Sequence, residues 1–481
     1  MDKAVPERSN TQEIIWGAAI PVLAGLILMI AFLSPEFHHE LDDLKKPIIP
    51  LLALMMGAGG VYLFLMLSLK KIRLRRVAII LAITMGILIR VSMFSTTPIL
   101  EDDHFRYLWD GGVLASGFNP YQYAPQDILE GDRNKVPESL LRLAQKSYPD
   151  LQYINYPRLK TIYPPITQAA FVFAHFISPW NLNAWRLFLL FVDVMTLFIL
   201  FAVLRKLRLS SANLLIYWWN PLLIKEIYNS GHMDLILFPF LLGTLLLALR
   251  HKTIWASATL GLAVGVKLWP AILLPVILRP VIGNKTKLIP SLILFASLSL
   301  AACLPFLFSG LDQTSGLASY GRYWEMNDAL FMILHRIIQS IYSLFSISVW
   351  HSQSLTRLLA LALLMLWTIL LIREDDPDPA AMCRRCLIVV AVLFFVSPTQ
   401  FPWYSLWLLP FLAIQPRPSL LALTALIPLY YLRYYLHARD MTTIFDNGIV
   451  WLEYIPVWLL MMREWYAQMY SPQRHGVRRE D

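Results

Sequence analysis

Long apolar segments separated by short polar turns form the dominant pattern of this chain. The first apolar segment runs from Trp16 to Ser34, and comparable segments recur along the sequence. A helix that crosses a bilayer needs about 20 apolar residues, and in lipid only helices and closed barrels satisfy the backbone polar groups. The pattern therefore predicts an all-α polytopic membrane protein with about 13 transmembrane helices. The first four predicted spans cover residues 14–34, 49–69, 77–96 and 184–204.

Basic residues cluster in the short turns between these segments. Lys and Arg concentrate in the cytoplasmic turns of membrane proteins, so we assign these turns to the cytoplasmic side. The clusters are Lys70–Arg76, Arg205–Arg208, Arg250–Lys252, Lys285 with Lys287, Arg384–Arg385 and Arg474–Arg479. To keep this orientation, residues 166–179 and 328–348 must be short interfacial helices. Residues 254–281 must form a hairpin that is broken near Lys267 and Pro270.

The same orientation places the longest hydrophilic segment, residues 98–165, on the outer face. We assign the whole chain, residues 1–481, to one integral membrane domain in which 98–165 is an extracytoplasmic loop. The polar, aromatic-rich turns all fall on this face, which predicts a single composite site. These turns are Glu101–Pro125, Asn155–Pro165, Asn229–Asp234, the break at Lys267, Tyr320–Asn327 and Ser397–Tyr404.

The run Glu101–Gly111 carries the densest set of functional side chains. Read as a helix that begins at Asp103, it places its polar residues on one face and most of its apolar residues on the other. The polar face consists of Asp103, Arg106, Tyr107 and Asp110. We expect this helix to lie on the membrane surface, apolar side down, with its polar side toward water or a cleft. A solvated loop followed by a helix N-terminus is the alternative interpretation.

Two adjacent carboxylates, Asp102 and Asp103, are the candidate catalytic residues. A transferase with a hydroxyl acceptor needs a carboxylate to take the hydroxyl proton. Adjacent side chains diverge by about 100° on a helix, so only one of the two can easily be the base. Asp103 shares its face with Arg106 and Tyr107 and is the first choice. Asp102 could instead bind a metal or orient the acceptor, and helix capping is the structural alternative.

Cations near the outer turns are candidate ligands for a lipid-linked phosphate. Lys267 lies in an otherwise apolar run, where a charge is costly and indicates function, although a lysine can also extend to the headgroups. Arg322 and Arg106 carry guanidinium groups, which match phosphate geometry. A solvated loop arginine is the alternative for Arg322.

Aromatic and polar side chains of the outer turns are candidate contacts for the substrate. Each has a plain structural alternative, since interfacial aromatic residues usually form the aromatic belt. A histidine in a turn can likewise be satisfied locally. The candidate substrate-binding residues are Tyr107, Tyr163, His232, Asp234, Trp403 and Tyr404.

Composition narrows the function classes further. The chain has 481 residues, of which 57% are hydrophobic and 15% are charged, against about 25% charged in soluble proteins. The net charge of +9 resides in the basic turns, so no nucleic-acid partner is predicted. No Walker loop or dinucleotide fingerprint occurs in a usable context. A donor at the outer face would therefore be carried on a lipid, and we expect no required cofactor and no metal site, although a divalent metal is possible.

A set of motifs is spread along the chain: Asp103-x-x-Arg106-Tyr107-x-Trp109-Asp110-Gly111, Gly117-x-Asn119-Pro120-Tyr121-x-Tyr123-x-Pro125, Tyr163-Pro164-Pro165, Trp219-Asn220-Pro221, Gly231-His232-x-Asp234, Lys267 and Pro398–Tyr404. With these motifs the chain resembles bacterial GT-C-fold glycosyltransferases that use polyprenyl-phosphate sugars, especially the mannosyltransferase-like, glycosyltransferase 87-like branch. The resemblance implies an inverting transfer with the first-loop aspartate as base. It also implies juxtamembrane helices that roof a cavity open to the bilayer. The Glu-Asp-Asp run departs from the family pattern and leaves open which aspartate is catalytic.

We therefore expect a GT-C-type hexosyltransferase that moves a hexose, with mannose favoured, from a polyprenyl-phosphate donor to a lipid or glycan acceptor. The reaction is expected on the extracytoplasmic face of a bacterial inner membrane, in contact with membrane lipids. One alternative is a transporter or flippase for a lipid-linked glycan, which Asp193 and Glu226 inside apolar segments keep open. Another is a ligase or polymerase that uses a pyrophosphate-linked oligosaccharide.

Overall fold

The computed structural model of the chain describes residues 8–69, 72, 74–147, 150–345, 352–374, 376 and 378–470. Helices form the regular secondary structure of this part of the chain. An isolated parallel β-bridge pairs Met326 with Thr399. The predicted all-α class is therefore confirmed.

The first half of the chain forms α-helices of very different lengths. They are α1 (Arg8–Leu33), α2 (Ile48–Ser68), α3 (Arg76–Ser92), α4 (Asp103–Ala115), α5 (Pro125–Leu129), α6 (Glu138–Ser147), α7 (Pro165–Ile177), α8 (Leu182–Lys206), α9 (Leu214–Trp218), α10 (Pro221–Leu223), α11 (Leu237–Leu249) and α12 (Thr253–Val264).

The second half continues in the same way. Its helices are α13 (Leu274–Leu278), α14 (Lys285–Ser309), α15 (Gly316–Tyr323), α16 (Ala329–Leu344), α17 (Ser352–Arg373), α18 (Ala381–Val396), α19 (Pro402–Ser405), α20 (Leu409–Ile414), α21 (Pro418–Leu426), α22 (Leu432–His437), α23 (Thr442–Ile444) and α24 (Val450–Met469).

Short turns of 3-10 and π helix join or extend many of these helices. The 3-10 turns are Ser34–Phe37, Met93–Ser95, Asp150–Tyr153, Ser211–Asn213, Met233–Ile236, Trp269–Leu273, Arg279–Val281, Leu406–Leu408 and Ile427–Tyr431. The π-helical turns are Ile224–Asn229 and Phe445–Ile449.

Eight helical segments of the described chain are long and apolar enough to cross a bilayer. They are Ile15–Phe37, Ile48–Ser68, Arg76–Ser95, Leu182–Lys206, Lys285–Ser309, Ser352–Arg373, Pro418–His437 and Thr442–Met469. Pro221–Asn229 and Met233–Leu249 together pass the same test but are bent by 106° at their junction. Five shorter apolar helices complete the set. The long helices alone do not reach the predicted count of about 13, which stays a prediction.

The two predicted interfacial helices are short in the structure, and the predicted hairpin at 254–281 is broken. Helix α7 has 13 residues and would extend about 20 Å, against a hydrocarbon core of about 30 Å. Helix α16, at Ala329–Leu344, is similarly short. The predicted break near Lys267 lies between the end of α12 at Val264 and the next 3-10 turn. Lys70, Lys71, Arg73 and the tail Arg474–Arg479, which were used for orientation, lie outside the described residues.

Helix α4 begins at Asp103 as predicted, but its environment differs from the expectation of a one-sided surface helix. Residues 104–113 are all buried. Its apolar side packs into a small separate core that residues 128–154 contribute. That core consists of Phe105, Trp109, Val113, Ile128, Val136, Leu140, Leu151 and Ile154. The expectation that this side faces lipid is wrong, because the rest of the loop folds over it.

A buried polar network holds α3, α8 and α9 together. The Arg90 guanidinium donates to Asp193 Oδ2 at 2.7 Å and lies 3.6 Å from the ring centre of Trp218. The hydroxyls of Tyr217 and Tyr228 also donate to the Asp193 carboxylate. A buried carboxylate is tolerated when it is paired and hydrogen-bonded in this way. Asp193 therefore has a structural role within the helix bundle.

Candidate active site

A cavity of about 680 Å³ lies where the ends of several helices meet. Its wall includes residues from the acidic turn before α4, the loop before α7, the break after α12, α15 and the segment after α18. Further wall residues come from the 3-10 turn and helix at 430–434. The separate turns that were predicted to form a composite site thus line one cavity.

The acidic turn is held against the bend between α10 and α11. The Arg186 guanidinium donates to the backbone oxygens of Thr96 (3.0 Å) and Asn229 (2.7 Å). The Asn229 side chain in turn accepts from the backbone N–H of Ile99 at 2.9 Å. Leu100 then adopts a φ of 60°, a left-handed conformation that costs a non-glycine residue about 1–2 kcal/mol. These contacts fix the direction in which the following acids point.

Both candidate base residues line the cavity, and Asn155 joins them. Its side-chain amide donates to Asp102 Oδ1 at 2.5 Å and to Asp103 Oδ1 at 3.4 Å. The Tyr107 hydroxyl donates to Asp103 Oδ2 at 3.2 Å, as expected for residues one turn apart on a helix. The Asp103 side chain remains 26% exposed. It can therefore receive a proton from a molecule in the cavity.

Burial changes the protonation of the acidic turn. Burial, followed by the charge of Asp103, raises the pKa of Asp102 to about 7. Burial also raises the pKa of Glu101 well above its usual range, although the Lys225 ammonium opposes the shift. Both effects follow from removing a carboxylate from water.

His232 lies behind the aspartates and is fully buried. Its ring stacks on Trp403 with 3.9 Å between ring centres. Its Nδ1 atom lies 3.7 Å from Asp103 Oδ2. His232 thus approaches the candidate base from the protein side, whereas Trp403 separates it from much of the cavity.

Lys267 and Asp234 form an ion pair in the cavity wall. The Lys267 ammonium donates to Asp234 Oδ1 at 2.5 Å, and the Trp407 indole donates to the same oxygen at 2.6 Å. The ammonium also lies 4.3 Å from the ring centre of Tyr404, a cation–π geometry. Lys267 therefore faces the cavity already paired, and snorkelling does not account for its contacts.

The two arginines predicted to bind phosphate, Arg106 and Arg322, differ in their position relative to the cavity. Arg106 lines the cavity, and its guanidinium also donates to the backbone oxygens of Tyr156 (3.4 Å) and Leu159 (3.0 Å) in the loop before α7. Arg322 is exposed and does not belong to the cavity wall. Arg433, which was not predicted, does line the cavity. Within the described residues it makes no hydrogen bond or ion pair, which leaves its guanidinium available for an anion.

The remaining predicted contacts also lie in the wall. They are Tyr107, Tyr163, Asp234, Trp403 and Tyr404. The sequence placed Asn155 and Tyr320 in the turns of the predicted composite site without giving either a role, and Arg433 was not predicted. A charged residue inside an apolar run of a membrane protein usually indicates a function. Arg433 is a single arginine in an apolar, aromatic run, so this pattern could have identified it.

The cavity combines proton acceptors, positive charge and aromatic surface in one wall. Carboxylates in the cavity wall can accept a proton. Arg433 and Lys267 provide positive charge for a phosphate. Aromatic rings in the same wall offer flat apolar surfaces to a ligand.

Comparison with known proteins adds a family match. The family model described as alpha-(1->6)-mannopyranosyltransferase, N-terminal domain (MptA_B family), matches residues 38–281, just over half of the chain. The match covers the acidic turn, His232, Asp234 and Lys267. No curated protein and no solved structure matches the chain.

Proposed function

Because the chain belongs to the alpha-(1->6)-mannopyranosyltransferase family, we propose that this membrane mannosyltransferase uses polyprenyl-phosphate mannose as its donor. The acceptor is a hydroxyl of a lipid or glycan. The reaction takes place in the cavity of about 680 Å³, on the extracytoplasmic face of a bacterial inner membrane. The enzyme is of the GT-C type.

The observation that carries this proposal is that carboxylates and cationic side chains line the same cavity. Asp102 and Asp103 line the same cavity as Lys267 and Arg433. A donor that is linked through phosphate needs a positive group for the leaving phosphate. Its acceptor needs a base, and the cavity offers both.

Asp103 acts as the general base in this mechanism. It takes the proton of the acceptor hydroxyl while the hydroxyl oxygen attacks the anomeric carbon of mannose. The bond between that carbon and the phosphate oxygen breaks, and polyprenyl phosphate leaves. Arg433 and Lys267 stabilise the charge that develops on the phosphate. Direct attack inverts the anomeric carbon, so an α-linked product requires a β-linked donor.

The positions of the basic turns support an extracytoplasmic site. Helices α3, α12 and α18 each have basic residues at or near their N-terminal end, and each ends shortly before a segment of the cavity wall. The cavity and these basic residues therefore lie at opposite ends of three helices. Lys and Arg favour the cytoplasmic side, which leaves the cavity on the outer side.

The transporter alternative loses its main support. Asp193 is bound in the network with Arg90, and Glu226 pairs with Lys225 at the end of a helix beside the candidate site. Neither acid marks a separate pathway across the bundle. The family match likewise favours a mannosyltransferase over a ligase or polymerase of pyrophosphate-linked oligosaccharides.

A donor comparison tests the proposal. Purified protein is incubated with an acceptor extract and radiolabelled mannose, supplied either as β-linked polyprenyl phosphate or as a nucleoside diphosphate sugar. We expect labelled product from the lipid donor alone, and an α linkage in that product. Transfer from the nucleoside diphosphate donor in the absence of polyprenyl phosphate would overturn the proposal.

A further inference from the structure

Three side chains of metal-ligand type converge beneath the acidic turn. Glu101, Glu226 and His232 each offer one atom, and these atoms all lie within 4.8 Å of one another. Glu101 comes from the loop after α3, whereas Glu226 and His232 lie six positions apart in the bent segment between α10 and α11. The fold thus brings Glu101 next to a pair that is close in the sequence.

The His232 ring lies near the carboxylates of Glu101, Asp103 and Glu226 but makes no hydrogen bond within the described residues. Its side chain is fully buried, and neither ring nitrogen has a hydrogen-bond partner within the described chain. Nε2 faces Glu226 Oε2 at 3.3 Å and Glu101 Oε2 at 3.8 Å. An unsatisfied buried polar atom costs about 1–3 kcal/mol. Such an atom in a native structure requires an explanation.

We propose that Glu101, Glu226 and His232 bind a divalent transition-metal cation, Mn²⁺ or Zn²⁺, through Oε2, Oε2 and Nε2. Ligand atoms about 2.1 Å from one ion lie about 3–3.5 Å from each other. The observed separations of 3.3 and 3.8 Å are close to that spacing and require only small movements of Glu101, which lies in a loop.

The chemistry of the donors selects the class of cation. Carboxylate oxygens with an imidazole nitrogen suit Zn²⁺ and Mn²⁺, whereas Ca²⁺ and Mg²⁺ prefer oxygen ligands alone. Asp102 and Asp103 add negative charge next to Glu101. Within the described residues, Lys225 is the cation that contacts this group, at 3.3 Å from Glu226 Oε1. A divalent ion would balance the remaining charge.

The ion would also position the candidate base. A metal-bound histidine usually donates its other N–H to a carboxylate or carbonyl. With Nε2 on the ion, the proton of His232 resides on Nδ1, which faces Asp103 Oδ2 at 3.7 Å. His232 is therefore a positioning residue that orients Asp103. This consequence rests on the proposed function, whereas the binding of the ion does not.

A binding experiment without donor or acceptor separates the two proposals. Detergent-purified protein is stripped with a chelator and titrated with Mn²⁺, and the free ion is followed by electron paramagnetic resonance. We expect one Mn²⁺ per chain, displaced by Zn²⁺, and a higher temperature of unfolding in the presence of either ion. Absence of stoichiometric binding of both ions would overturn the metal site.

Three variants locate the ion. His232→Gln and Glu226→Gln should weaken Mn²⁺ binding at least about 100-fold, the upper end of what loss of an outer-shell partner costs. Glu101→Gln changes a loop residue and serves where the other two do not fold. Glu453→Gln is the matched control, since Glu453 is equally buried but pairs with Asn327. Wild-type affinity in folded Glu101→Gln protein would contradict the assignment.

Discussion

Lys267 and Asp234 meet at 2.5 Å although 33 residues separate them in the sequence. One lies in the break after α12, and the other lies in the bend before α11. Their contact joins two neighbouring helix ends directly at the cavity. The pair therefore holds the two helix ends together and also sets the charge of this part of the cavity wall.

Replacing Lys267 by methionine should destabilise the protein and reduce donor use. The change leaves the Asp234 carboxylate, which is 2% exposed, with the hydrogen bond from Trp407 but without its counter-ion. Breaking a buried pair costs about 3–5 kcal/mol, and we expect less here because the Lys267 side chain is 19% exposed. Thermal unfolding in detergent measures the effect, with the exposed Lys252→Met as control. Lys267→Met with Asp234→Asn should recover stability without recovering transfer, and equal unfolding temperatures for Lys267→Met and wild type would contradict the prediction.

Asp103→Asn should lower kcat by about 10²- to 10⁴-fold, the usual contribution of a general base, with little change in KM for the donor. Asp102→Asn should have a smaller effect because its carboxylate is bound to Asn155. Glu130→Gln, which changes an exposed acid of the same segment 98–165, is the control. Steady-state kinetics with the lipid donor measure all three. Unchanged transfer by both aspartate variants would remove the proposed base.

Arg433→Ala should raise KM for the polyprenyl-phosphate donor. A hydrogen bond to a charged group contributes about 1.5–3 kcal/mol, which corresponds to an increase of about 10- to 100-fold. Arg463→Ala changes an exposed arginine outside the cavity wall and should leave KM unaltered. A rise in KM for Arg322→Ala instead of Arg433→Ala would favour the prediction from sequence over the placement in the structure.

Gly111→Ala should destabilise the contact between α4 and α7. A Cβ atom at residue 111 would lie 2.6 Å from the backbone oxygen of Phe171, and that oxygen cannot move without shifting α7. Overpacking of this kind costs about 1–3 kcal/mol. Gly60→Ala, where a Cβ meets open space, is the control in thermal unfolding. Equal unfolding temperatures for the two variants would contradict the prediction that a Cβ atom at residue 111 overpacks the contact between α4 and α7.

Asp328 should make stability depend on pH. Burial, together with the charges of Glu325 and Asp446, raises the pKa of Asp328 to about 8, although Arg357 opposes the shift. The unfolded value is about 3.9, so the folded protein keeps a proton that the unfolded chain has released. The contribution of Asp328 to the free energy of unfolding is complete below about pH 4 and is lost as the pH rises through about 8.

Asp328→Asn removes this titration. We expect its unfolding temperature to fall less than that of the wild type between pH 6 and pH 9. Thermal unfolding across that range compares the two proteins in the same detergent. Parallel pH profiles would show that Asp328 keeps an ordinary pKa in the folded state.

The sequence predicts the features that depend on local pattern. Apolar length identifies the long helices, and the charge at Lys267 with the nearby Pro270 identifies the break after α12. The start of α4 at Asp103 follows from the periodicity of its side chains. Each of these features is encoded within one stretch of the chain.

Features that depend on distant packing do not follow from such patterns. The contact of Asn155 with Asp102 spans 53 residues, and hydropathy does not report which side chains meet. The surface-helix prediction for α4 is wrong for the same reason, since Val136, Leu140 and Leu151 supply its apolar environment. Arg322 and Arg433 likewise differ in position relative to the cavity, although either sequence context could place an arginine there.

The wall of the cavity is supplied by both halves of the chain. The acids and Lys267 precede residue 281, where the family match ends, whereas Trp403, Tyr404 and Arg433 come from later helices. An exchange of the later helices between relatives would therefore alter the surface offered to the carrier and acceptor while leaving the proton-accepting groups in place. Such chimeras would show whether the later helices determine substrate preference independently of the acids before residue 281.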